Sequence, residues 1–209
     1  MSLDEARLYL VAPASLRAAP LVDLVGELVA AGVDIIQLRE KSMEAGDLLR
    51  LGAPLVEACR AAGVPFVVND RPDVALALGA DGVHLGTNDL PASVARQIVP
   101  DAIVGLSTHR PSEVDVALTA HPDYFAVGPV NETPTKPGRP GTGLELVSYA
   151  AGLSTEIPWF MTGGMSPDTI PAVLEAGGRR VVVVRAITQA NDPVRAVAAI
   201  RSVLDATPL

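Results

Sequence analysis

The chain has 209 residues and a mass of 21.6 kDa, is 49% hydrophobic and 19% charged, and has a mean hydropathy of +0.33. That length suits one domain with a sizeable core, and such apolar content with so little charge excludes a disordered chain. A net charge of −8 and a pI of about 4.8 argue against nucleic acid as the main partner, and no stretch nears the run of about 18 apolar residues that a membrane helix needs.

Strand-like and helix-like segments alternate along the chain. Asp4 and Glu5 stand where a secretory signal would carry basic residues. Arg7–Ala12 then reads as a strand and Leu21–Ala31 as a helix with apolar residues at helical spacing. Asp34–Leu38 is a second strand, followed by a helix over Glu44–Ala62 that Gly63 and Pro65 end. Cys59, on the apolar stripe of that helix, reads as core, and a single cysteine fits a reducing cytoplasm. Strands at Pro65–Asn69, Gly82–Leu85, Ile103–Leu106 and Tyr124–Val127 come next, with helices at Pro72–Leu78, Pro91–Val99 and Pro111–Thr119 between them. After a long Gly/Pro/Thr loop, a helix is expected near Leu144–Ala151. Strands Pro158–Met161 and Arg180–Val184 follow, each with a helix behind it, at Pro167–Ala176 and Asp192–Asp205.

Eight strand–helix units predict a single-domain (β/α)₈ TIM barrel over residues 1–209 rather than an open doubly wound sheet. The phrases Ala31-Gly32-Val33-Asp34, Leu78-Gly79-Ala80-Asp81-Gly82 and Glu175-Ala176-Gly177-Gly178 recur as a helix-ending glycine before entry into the next strand. Only the connection from Gly128 to Gly143 is long, and a loop of that length in a compact domain is usually functional.

In a barrel of this kind the chemistry sits at the C-terminal ends of the strands. Gln37, Arg39 and Lys41 alternate there and share one side of an extended segment, as ligand contacts or as a solvated strand exit. Asp70 and Asp89 end neighbouring strands; together they suit a hard cation such as Mg²⁺, and singly each could cap the helix that follows. Ser107 and Thr108 offer hydroxyls to a ligand or to the helix at Pro111. Lys136, flanked by Thr133-Pro134-Thr135, is a candidate for closing over a phosphate, a solvated loop tip being the alternative. Gly163-Gly164 and Val184-Arg185 end strands seven and eight, where backbone N–H groups often receive a phosphate. A chain this acidic needs such a pocket to hold a small anion.

Taken in order, Gln37-Leu38-Arg39-Glu40-Lys41, Asn69-Asp70-Arg71, Gly82-Val83-His84-Leu85-Gly86 with Asp89, Ser107-Thr108-His109, Gly128-Pro129, Thr133-Pro134-Thr135-Lys136 and Gly163-Gly164 resemble the thiamine phosphate synthase family over nearly the whole chain. The resemblance implies a cytoplasmic transferase of alkyl or aryl groups. It would join 4-amino-5-hydroxymethyl-2-methylpyrimidine diphosphate to 4-methyl-5-(2-hydroxyethyl)thiazole phosphate, giving thiamine phosphate and diphosphate. Its partners would be these two small anionic substrates, with no nucleic acid and no membrane; a homo-oligomer is compatible with the sequence.

The resemblance also implies roles. The segment Gln37, Leu38, Arg39, Glu40 and Lys41, with Asn69, Ser107 and Lys136, would hold the pyrimidine diphosphate. Arg39, Lys41 and Lys136 would stabilise the leaving diphosphate, and Asp70 and Asp89 would bind one Mg²⁺. Thr133, Pro134, Thr135, Gly164, Val184 and Arg185 would receive the thiazole phosphate, and closure of the 128–143 loop would exclude water. His84 reads equally as a core histidine or a pyrimidine contact. Two departures stand out: Thr87 and Arg185 occupy positions where the family often has Gln and Ser. A thiazole tautomerase-like isomerase or a non-catalytic thiamine-precursor-binding barrel are the alternatives; neither needs the full set of Asp70, Asp89, Lys41 and Lys136.

Overall fold

The computed structural model describes residues 3–132 and 141–209. Eight parallel strands close into a barrel in chain order: β1 (Leu8–Ala12), β2 (Ile35–Leu38), β3 (Phe66–Asn69), β4 (Gly82–Leu85), β5 (Ile103–Thr108), β6 (Tyr124–Val127), β7 (Trp159–Met161) and β8 (Val181–Val183). The outer layer is built from α1 (Leu21–Ala30), α2 (Ala45–Ala62), α3 (Pro72–Leu78), α4 (Ala92–Ile98), α5 (Pro111–Thr119), α6 (Glu145–Ala151), α7 (Ile170–Glu175), α8 (Arg185–Thr188) and α9 (Pro193–Asp205). The expected fold class is therefore the observed one. The short α8 is an addition: four residues after β8 carry no periodic signal.

Strand alternation sorts the side chains into two layers. Leu8, Leu10, Ile36, Leu38, Phe66 and Val68 point outward into the main core beneath the helices. Tyr9, Val11, Ile35, Val67, Tyr124, Phe160 and Val182 fill the barrel interior. Tyr9, Tyr124 and Phe160 meet there edge to face, with every pair of ring centroids 5.6 Å apart. Aromatic pairs of this geometry contribute about 0.5–1.5 kcal/mol beyond the area they bury. Gly105 makes room for them, because a Cβ built on it would lie 2.0 Å from Cζ of Tyr124.

The recurring aspartates do more than precede a strand. Asp34 accepts the Arg7 and Leu8 N–H groups at 2.7 and 2.9 Å while its own N–H donates to the Leu8 carbonyl. Asp81 treats Phe66 in the same way, and Asp123 treats Val104. Each carboxylate thus satisfies an N–H at the start of the preceding strand, on the first residue of β1 and β3 and the second of β5. This explains why β2 begins at Ile35 rather than at Asp34: the residue closes the barrel floor instead of continuing the ladder.

The ring closes where β8 pairs with β1, Leu8 opposite Val181 and Leu10 opposite Val183. Arg201 on α9 reinforces that seam from outside, its Nη1 donating to Oδ2 of Asp34 at 2.9 Å. Among the described residues no helix is long and apolar enough to cross a membrane.

Candidate active site

The C-terminal ends of the strands surround a cavity of about 430 Å³. Arg39, Lys41 and Arg185 line it, as do Gln37, Asn69, Asp70, Ser107, Gly164 and Val184. An acidic chain has thus gathered three cations around one opening, which the net charge required of any anion site. Alternation decides which of the expected residues face inward. Gln37, Arg39 and Lys41 do. Leu38 is 1% exposed within the outer core, and Oε1 of Glu40 accepts the Ala14 N–H at 2.9 Å, so these two side chains point away from the cavity. Thr133, Pro134, Thr135 and Lys136 lie outside the described residues.

Asp70 and Asp89 do not cap helices. The residues preceding α3 and α4 are Arg71 and Pro91, and neither helix start receives a side-chain cap. Oδ2 of Asp89 instead accepts the Gly86 N–H at 2.7 Å, which brings the carboxylate back to the end of β4. Asp70 follows β3 in the left-handed region, at φ +64°, a conformation that costs a residue with a side chain and tends to persist at functional positions. The two carboxyl groups act on each other electrostatically, and Nζ of Lys41 lies 2.9 Å from Oδ2 of Asp70. Burial pushes the Asp70 carboxyl up, but the neighbouring Asp89 and Lys41 more than offset this and hold it below the ordinary range. Burial and the neighbouring Asp70 push Asp89 above it. Adjacent carboxylates driven apart in this way mark a site short of positive charge.

That donor set fits a hard divalent cation in one specific way. Among the described residues no group of three or more His, Cys, Asp and Glu could hold a metal, so these residues alone offer no complete cage. Mg²⁺ typically takes one or two carboxylates and completes its shell with waters and substrate phosphate. Arg39 supplies the second cation beside this pair. Its guanidinium is half-buried; burial lowers its pKa, while Asp70 and Glu40 oppose that. It forms no ion pair within 4 Å among the described residues.

Across the mouth, the β7 exit is tied to the β6 exit. Val130 and Asn131 donate their N–H groups to the Thr162 and Gly163 carbonyls. Gly163 and Gly164 both have positive φ, +98° and +68°, and a Cβ on Gly163 would come within 2.5 Å of Pro129. Only glycine fits that close approach. The turn therefore presents bare backbone to the cavity beside Val184 and Arg185.

On the cavity floor Nε2 of Gln37 donates to the Tyr9 hydroxyl at 2.6 Å, and the Tyr9 and Tyr124 hydroxyls are 2.8 Å apart. Nδ1 of His84 lies 3.0 Å from the Tyr124 hydroxyl, and its Nε2 lies 2.9 Å from Oγ of Ser107. Ser107 thus faces the cavity rather than α5, while Thr108 is buried and donates to the Ala126 carbonyl. Tyr9 and Tyr124 had no sequence signal beyond their scarcity.

Residues 8–187 match the family model for thiamine monophosphate synthase. Among similar proteins, the thiamine-phosphate synthase of Acidothermus cellulolyticus is 49% identical over 199 residues, covering 94% of each chain. That of Thermus thermophilus is 50% identical over 199 residues, covering 93% of this chain and 95% of its own. The solved structure of thiamine phosphate pyrophosphorylase from Pyrococcus furiosus superposes with a TM-score of 0.87 at 32% identity, covering 98% of both chains.

Proposed function

Because the chain belongs to the thiamine monophosphate synthase family, whose members are transferases of thiamine biosynthesis, we propose that its cavity joins 4-amino-5-hydroxymethyl-2-methylpyrimidine diphosphate to 4-methyl-5-(2-hydroxyethyl)thiazole phosphate. One observation carries this reading: a single opening has a carboxylate-and-cation wall at the exits of β2–β4 and a bare glycine turn with Arg185 at the exits of β7 and β8. Two anionic substrates need two such walls.

The residues suit a reaction without a covalent intermediate. Cys59 is buried and its thiol is pushed up to about 12, chiefly by burial, so it is no nucleophile. The diphosphate leaves from a carbon attached to an electron-rich aminopyrimidine ring, which can carry the positive charge. The thiazole nitrogen then forms the new carbon–nitrogen bond. Arg39 and Lys41 meet the negative charge that grows on the departing diphosphate, and Lys136 is proposed to join them. Gln37, Asn69 and Ser107 orient the pyrimidine. Asp70 and Asp89 would hold Mg²⁺, which supplies charge neutralisation to the diphosphate oxygens. Gly164, Val184 and Arg185, with Thr133, Pro134 and Thr135, are proposed for the thiazole phosphate. A reaction in the cytoplasm accords with the single reduced cysteine.

Purified protein given both substrates and Mg²⁺ is expected to release thiamine phosphate and diphosphate in equal amounts. Isomerisation of the thiazole alone, or binding with no product, would overturn the reading. The two walls make a finer expectation. Arg185→Ala weakens thiazole phosphate binding by about tenfold, the loss of one charged hydrogen bond, and leaves the affinity for the pyrimidine diphosphate within about twofold. Calorimetric titration of each ligand separately checks this; equal losses for both would count against separate walls.

A further inference from the structure

Gln37 on β2 and Ser107 on β5 are three strands apart around the cavity floor, yet a continuous line of side chains joins them. We propose that Tyr9, Tyr124 and His84 are positioning residues forming a directional hydrogen-bond relay, which makes the Gln37 carbonyl an acceptor and the Ser107 hydroxyl a donor toward the cavity at the same time. The proposal deepens the assignment of this cavity to an aminopyrimidine and rests on it for the ligand alone.

Proton counting sets the direction. The Gln37 amide nitrogen can only donate, and it donates to the Tyr9 hydroxyl. Tyr9 has one proton of its own, and among the described residues its remaining hydrogen-bond partner is the Tyr124 hydroxyl, so it donates there. Tyr124, having accepted, donates its single proton to Nδ1 of His84. A neutral ring that accepts at Nδ1 carries its proton at Nε2, which donates to Oγ of Ser107. The Ser107 proton is then left for the cavity, and so is the Gln37 carbonyl oxygen. Both phenols are 1% exposed or less, and burial raises the pKa of each, so each brings one proton and keeps it. The rings hold the line in place: Tyr124 stacks on His84 at 18° and 5.7 Å, in the space that Gly105 leaves. Reversing any one bond strands a buried proton, so the five groups turn together or not at all. A ring that carries an amine beside a ring nitrogen offers the complementary donor and acceptor.

Two readouts test this in the intact protein. In ¹⁵N-labelled protein, long-range imidazole spectra, with the His84 signals assigned by their loss in His84→Gln, are expected to show the neutral Nε2–H tautomer. An Nδ1–H tautomer or a doubly protonated ring would overturn the relay. Tyr124→Phe keeps the ring and removes one hydroxyl; it is expected to abolish the tautomer bias and weaken binding of the pyrimidine diphosphate about tenfold, with thiazole phosphate binding unchanged. Tyr9→Phe, one bond further from His84 than Tyr124, is expected to act in the same direction. An unchanged tautomer in both variants, or equal losses for both ligands, overturns the proposal. Should wild-type protein bind no pyrimidine diphosphate, the functional reading fails while the tautomer still decides the relay.

Discussion

Asp70→Asn is expected to lower turnover by about 10²–10³, roughly 2.7–4 kcal/mol, the range seen when one preorganised group at a developing charge is removed. The fold should scarcely notice. Asn tolerates the left-handed backbone that Asp70 adopts at φ +64°, so no new strain is added. The ion pair lost with Lys41 involves a lysine side chain 54% exposed, and such pairs contribute about 0–1 kcal/mol. A helix cap is not at stake, because α3 has none from Asp70. Asp89→Asn should behave alike. If the two carboxylates act as one unit, the double variant costs little more than either single one. Steady-state rates at saturating substrates and Mg²⁺, with melting curves of the same samples, check all three. Turnover within a few-fold of wild type would remove Asp70 from the chemistry.

Arg39→Ala is expected to cost a similar factor in turnover, about 10²–10³, with a smaller effect on the Michaelis constant. The charge on the diphosphate grows as the carbon–oxygen bond breaks, so an arginine facing it binds the transition state better than the ground state. This guanidinium is half-buried, and among the described residues no ion pair within 4 Å holds it. The melting temperature should hold or rise, since a half-buried charge short of a partner is removed. Arg39→Lys separates charge from shape. It should recover only part of the loss, because an ammonium cannot reproduce the planar two-pronged contact with phosphate oxygens. A full recovery would show that position and charge alone suffice.

Hydrophobic periodicity and the spacing of turn glycines specify most of the barrel. The alternation of Gln37, Arg39 and Lys41 is visible as a pattern, and the same alternation turns the Leu38 and Glu40 side chains away from the cavity. Asp70 and Asp89 are legible only as a pair, since a carboxylate before a helix usually caps it; Lys41 at Asp70 and the Gly86 N–H at Asp89 meet them only because β2, β3 and β4 lie side by side. Tyr9 and Tyr124 could not be found that way. Their hydroxyls meet across 115 positions of sequence, and in strands a tyrosine reads as one more apolar residue. The aspartates at 34, 81 and 123 were visible as a recurring phrase around turns. That they hold the preceding strand follows from parallel pairing, which no local window contains.

The seam between β1 and β8 also sets a condition on how the chain comes to be made. Leu8–Leu10 finds its second neighbour only in Val181–Val183, almost the whole sequence away. While the ribosome is still at work, β1 therefore carries one open edge, lined by Leu8, Tyr9 and Leu10 and inviting the wrong strand. Contacts this distant form late and slowly, because a long loop must close before any pairing rewards it. A nascent chain of this barrel would thus pass most of its synthesis with its oldest strand half-paired, needing shelter until the youngest one arrives to seal the ring.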